Sequence, residues 1–123
     1  MRCAITAALL AAALLALASN SPVVSAADHD GNWTVLVITE KGDCDQAYRY
    51  GVKVANGRVA YSGDASVDMN GTVSPGGAVK VSIRLGEKGA NGTGHLAGNA
   101  GTGTWRGAAA NSTCAGRWEA ERR

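Results

Sequence analysis

Histidine occurs only twice in the 123-residue chain, at His29 and His95, and no catalytic constellation assembles around either. A serine nucleophile needs a base and an orienting acid, and there is no Gly-x-Ser-x-Gly elbow. Asp43 and Asp45, like Asp64 and Asp68, are carboxylates close in sequence, but they fall in or beside turns, where aspartate is ordinary loop chemistry. Gly92-Thr93-Gly94 has no helix after it to present amides to a phosphate. The 12 Lys and Arg stand against 10 Asp and Glu and are dispersed, with only Arg122-Arg123 adjacent, so there is no basic footprint for nucleic acid. These scarcities point to a protein that is not an enzyme, carries no cofactor and has no nucleic-acid partner.

Long apolar runs are equally scarce. The one candidate, Ala4 to Ala18, falls short of the roughly 20 residues that span a bilayer. It follows Arg2 and precedes the small residues Val24-Ser25-Ala26, the layout of a secretory signal. The expectation is therefore a signal peptide over 1–26, an N-terminal tail over 27–31 and one β domain over 32–123. The mature protein would be periplasmic or secreted and would keep no membrane span. Of the three cysteines, Cys3 would leave with the signal, and Cys44 and Cys114 in an oxidising compartment predict one disulfide. A bond closing roughly 70 residues contributes about 4 kcal/mol in the chain-entropy model, which matters for a domain of roughly 100 residues near the lower limit for an unaided core.

No ten-residue stretch carries a helical apolar stripe; period-two alternation runs from Trp33 onward instead. Tyr48, Tyr50, Val52 and Val54 alternate with polar or small residues, Asn56-Gly57 supplies a hairpin turn, and Val59 and Tyr61 continue the inner row. A strand placing Ala65, Val67, Met69, Gly71 and Val73 on one face leads to the turn Ser74-Pro75-Gly76-Gly77, followed by Val79, Val81, Ile83 and Leu85. A polar tip over Gly86–Asn91 and three glycine-rich strands complete about eight, an antiparallel meander that forms a small barrel or a flattened sandwich. Each Trp follows a Gly by two: Gly31-Asn32-Trp33, Gly103-Thr104-Trp105 and Gly116-Arg117-Trp118. Residues two apart share a strand face, so these glycines are expected to give Trp33, Trp105 and Trp118 room to lie across the backbone inside the core. In the first strand Leu36 and Ile38 make the outer face apolar as well, which calls for a covering element or a partner chain.

The motifs G-x-W, E-K-G-x-C-D-x-A-Y-R-Y, G-x-G-x-L-x-G, G-x-G-x-W and C-x-G-x-W-x-A-E-R run from Asp30 to Arg123. In them the chain resembles a family of small exported proteins of Gram-negative bacteria without an assigned function. More distantly, a short meander opening with G-x-W and carrying one disulfide is similar to small eight-stranded barrels of the lipocalin and avidin type and to periplasmic metalloprotease inhibitors. The first likeness implies export and a β fold and brings no active site.

Three functional expectations follow. The first is a non-enzymatic binding or structural module whose loops or barrel mouth engage a protein or small-molecule partner. The second is a protease inhibitor that projects residues 27–31 into an enzyme cleft. The third is an amino-terminal Cu(II) or Ni(II) site: cleavage after Ala26 would put His29 third in Ala27-Asp28-His29, with the terminal amine, two backbone amides and the imidazole as in-plane donors.

Overall fold

The computed structural model describes residues 26–63, 66–109 and 111–123, so the expected signal segment lies outside them apart from Ala26. Eight strands follow a single 3-10 turn, Ala26–His29: β1 (Gly31–Lys41), β2 (Ala47–Ala55), β3 (Arg58–Tyr61), β4 (Asp68–Val73), β5 (Ala78–Leu85), β6 (Lys88–Ala97), β7 (Ala100–Ala109) and β8 (Ser112–Arg122). Each pairs antiparallel with the next, and β8 returns to β1 from Trp33↔Arg122 to Lys41↔Ala115, closing a barrel. Closure leaves no sheet edge to template aggregation.

The alternation places side chains as expected. Trp33, Val37, Val52, Val54, Val59, Val73, Val79, Leu96, Trp105, Trp118 and Ala120 are buried inside. Arg49, Lys53, Lys80, Thr104 and Glu119 are exposed outside. A polar outer wall around an apolar interior is the reverse of a bilayer-spanning barrel. Among the described residues no helix is long and apolar enough to cross a membrane. Asn56 and Gly57 both take positive φ, 51° and 77°, the backbone that a two-residue hairpin between twisted strands requires.

Two expectations need correction and a third, a covering element or a partner chain on β1, loses its first alternative. The polar tip over Gly86–Asn91 shrinks to Gly86-Glu87, because β6 starts at Lys88 and pairs with the whole of β5, from Leu85↔Lys88 to Ala78↔His95. A backbone ladder needs no apolar side chains, so this glycine-rich stretch forms a strand that alternation cannot reveal. β4 begins at Asp68, with Val67 outside it and Ala65 outside the described residues. No element covers the outer face of β1 among the described residues; Leu36 and Ile38 are half-buried, with Arg49 and Glu119 opposite Leu36 and Ala47 and Arg117 opposite Ile38.

The three indoles are core residues, and each N–H is spent on a backbone carbonyl: Trp33 Nε1 donates to His29 O (3.0 Å), Trp105 Nε1 to Ile38 O (3.0 Å) and Trp118 Nε1 to Thr93 O (3.1 Å). The glycine beside each Trp does not simply serve that Trp. A side chain at Gly103 or Gly94 would run into the Trp118 ring, which lies flat across β6 and β7 from the neighbouring β8. One at Gly116 would strike Ile38 O, the acceptor of Trp105. Cys44 and Cys114 are disulfide-bonded with Cα atoms 6.2 Å apart, which fastens the β1–β2 connection to the start of β8.

The contrast between two glycines makes this packing testable. A Cβ at Gly103 would meet Trp118 and Thr93 O, whereas one at Gly92 meets nothing nearer than 3.6 Å. Gly103→Ala should therefore destabilise the fold by about 3 kcal/mol, the upper part of the usual range for overpacking, and Gly92→Ala by less than about 1 kcal/mol. Urea unfolding of the two variants measures the difference; equal losses would show that Trp118 does not occupy the Gly103 space.

Candidate binding site: the barrel interior

One end of the barrel is sealed by hydrogen bonds from the N-terminal segment to two of the turns found there and from Arg122 to the third. His29 is 7% exposed and its Nε2 donates to Pro75 O in the β4–β5 turn (3.1 Å). Asp30 Oδ1 accepts from the backbone N–H of Asn56 in the β2–β3 turn (2.8 Å). Arg122 donates through Nη1 to Asp30 O (2.8 Å) and through Nη2 to Asp28 O (3.0 Å) and to Gly98 O in the β6–β7 turn (2.8 Å). Its guanidinium sits 4.9 Å from the Trp33 ring centroid, a cation–π contact over a Trp that is 1% exposed.

The other end stays open. Inside, a cavity of about 140 Å³ runs from Trp33, Val54 and Leu96 at the sealed end up to Tyr48, Tyr50, Met69, Ile83 and Ala90. Its existence follows from the inner positions of β6, where Ala90 and Gly92 are too small to fill the space that valines and isoleucine fill elsewhere. Because the indole N–H groups are already bonded to carbonyls, the polar side chains facing the interior reduce to the phenols of Tyr48 and Tyr50, with Asn91 bordering the cavity from an outward-facing position. Water needs two to four polar partners to reside in such a space, so the deeper part favours an apolar guest.

The shortest seam of the barrel lies between β3 and β4. Their ladder holds only Arg58↔Thr72 and Val59↔Gly71, and beyond it Tyr61 and Met69 stand on strands that have parted. Tyr50 packs edge-on against Tyr48 (centroids 5.0 Å apart) and Tyr61 (5.8 Å), forming an aromatic lip. Burial pushes the Tyr50 phenol well above its ordinary range, with Tyr48, Tyr61 and the carboxylate of Asp45 adding to the shift. This lip was absent from the sequence reading, which took the tyrosines only as members of an inner row.

The residues singled out from sequence separate in space. Cys44 and Cys114 lie at the open end, Trp105 and Trp118 line the cavity wall, and Trp33 forms its floor. Ala27, Asp28 and His29 lie in the sealing turn at the opposite end. His29 Nδ1, the second ring nitrogen, is buried without a partner, so chelation of a metal by this segment requires the ring to leave the barrel end. Projection of residues 27–31 into a protease cleft requires the same release, together with loss of the Arg122 bonds. Among the described residues no group of three or more His, Cys, Asp or Glu is placed to hold a metal ion. His95 is exposed on the outer face of β6. Arg122, which ties the sealed end together, carries no sequence signal beyond its place in a charged C-terminal run.

The lip gives stability a definite pH dependence. An unfolded Tyr50 ionises near pH 10, and the folded one at a higher pH. Between those values the unfolded chain has released a proton that the folded chain keeps, so stability falls as pH rises past about 10 and is untouched below. Tyr50→Phe should flatten that decline, as measured by urea midpoints at pH 8 to 11; an unchanged slope would place Tyr50 in water.

No protein-family model, curated protein or solved structure matches the chain.

Proposed function

We propose that the protein is an exported, non-enzymatic binding module that holds a small apolar molecule inside the barrel. The observation that carries this reading is the cavity itself: about 140 Å³ of apolar space whose indole donors are already satisfied, reached through a tyrosine lip. An apolar cavity of about 150 Å³ in another protein stays dry and takes benzene, which sets the scale of the guest here. A ring-sized or short branched hydrocarbon fits within the walls. Anything longer must project past Tyr48 and Tyr50, whose hydroxyls would meet a polar end group. A rigid apolar pocket with a few polar groups at its rim is the usual form of a small-molecule site. The outward Lys, Arg and Glu side chains keep the barrel wall hydrated, and the disulfide suits an oxidising compartment.

Titration of the purified protein with toluene and with indole, followed by NMR of the side-chain methyls, tests the reading. Saturable one-to-one shifts are expected at Val35, Val81 and Met69, and Val81→Trp should abolish them by filling the cavity while leaving the fold intact. Methyl shifts that stay linear in ligand, or that survive Val81→Trp, would remove the barrel interior as the site.

A further inference from the structure

A second concave surface lies outside the barrel, on the open-end half of β5, β6 and β7, with a volume of about 390 Å³. Its form follows from register. Ser82, Asn91 and Arg106 stand side by side in one outward row, and Arg84, Gly89 and Ala108 in the next. Because Gly89 has no side chain and Ala108 a short one, the second row sinks into a floor beside Arg84. Glu87 in the β5–β6 turn bounds it on the open side. From strand spacing and rise, the Cα atoms of Arg84 and Arg106 are about 12 Å apart across this floor, a separation that two long side chains can close from both sides.

The charged groups here are uncommitted. Among the described residues the one ion pair is Arg117–Glu40, and Arg84, Arg106 and Glu87 have no intramolecular hydrogen-bond partner. Asp68, opposite Arg84 on β4, accepts a bond from Asn70 instead. The donor and acceptor inventory then specifies a guest. Two guanidiniums supply only donors and match the planar fork of a carboxylate, Glu87 supplies only acceptors, and Ser82 and Asn91 supply both. A ligand satisfying all of them carries one carboxylate with hydroxyl groups around it, and the small apolar floor suits the C–H face of a sugar ring. We infer that this outer cleft binds a uronic-acid unit, either free or within an acidic polysaccharide. The cleft shares Ile83, Ala90 and Asn91 with the wall of the barrel cavity, but it opens outward and its charged groups, Arg84, Glu87 and Arg106, belong to it alone.

The test is an NMR titration of the intact protein with sodium glucuronate, a linear uronic-acid oligomer, glucose and sodium sulfate. Glucuronate should shift the amides of Ser82, Gly89, Asn91 and Ala108 and bind at least about tenfold more tightly than glucose or sulfate, since two charge-assisted bonds and the hydroxyl contacts act together. Arg84→Gln and Arg106→Gln, both at exposed positions, should each weaken it about tenfold without changing the melting temperature. Tighter binding of the oligomer would mark a polysaccharide as the source, and equal binding the free sugar; both support the assignment. Sulfate binding as tightly as glucuronate, glucose doing so, absence of shifts, or wild-type affinity in the double Gln variant would each overturn it.

Discussion

The Arg122 guanidinium holds the sealed end of this barrel, and the rest of the interior depends on that seal. Its charge is met by three carbonyl oxygens, Asp28 O, Asp30 O and Gly98 O, and by the face of Trp33. A charged donor contributes more to a hydrogen bond than a neutral one. The bonds join three distant parts of the chain: the segment before β1, the β6–β7 turn and the end of β8. With His29 on Pro75 and Asp30 on Asn56 they turn an open cylinder into a cup.

What the cup contains is decided by the uneven size of the inner side chains. Trp118 occupies the space above Gly94 and Gly103, so the lower half of the β6–β7 wall is filled from β8. Higher up, Gly92 touches only the edge of Trp118 and Ala90 is small, and the cavity persists there. Opposite, β3 and β4 part after two bonded pairs. An unfilled wall facing a short seam yields the chamber, and the disulfide at the same end pins the β1–β2 connection to the start of β8.

The sequence made the strands, the Asn56-Gly57 hairpin, the disulfide pair and the inward Trp residues legible, because alternation and turn chemistry are local and two mature cysteines leave one pairing. The glycine-rich β6 was shortened, since alternation is invisible where the inner residues have no side chains. His29 reads from sequence as part of an N-terminal tail, because its burial arises only when the fold brings the Pro75 turn beneath it. Arg122 stands out in sequence only as one of two adjacent arginines, for the same reason. The cavity was beyond reach: alternation says which side chains point inward, but not whether together they fill the volume between eight strands. The outer cleft needed the register of β5, β6 and β7, which aligns Ser82, Asn91 and Arg106 across residues far apart in the chain.

The central claim is that the interior is a dry apolar chamber, sealed below by Arg122 and open above. Xenon, which enters apolar cavities of this size and reads out position directly, provides the sharpest test. In xenon-pressurised crystals the account predicts a single xenon site surrounded by Val35, Tyr50, Val81 and Trp105, with no ordered water below it. A file of ordered waters through the same space, or side chains collapsed into it, would contradict the account.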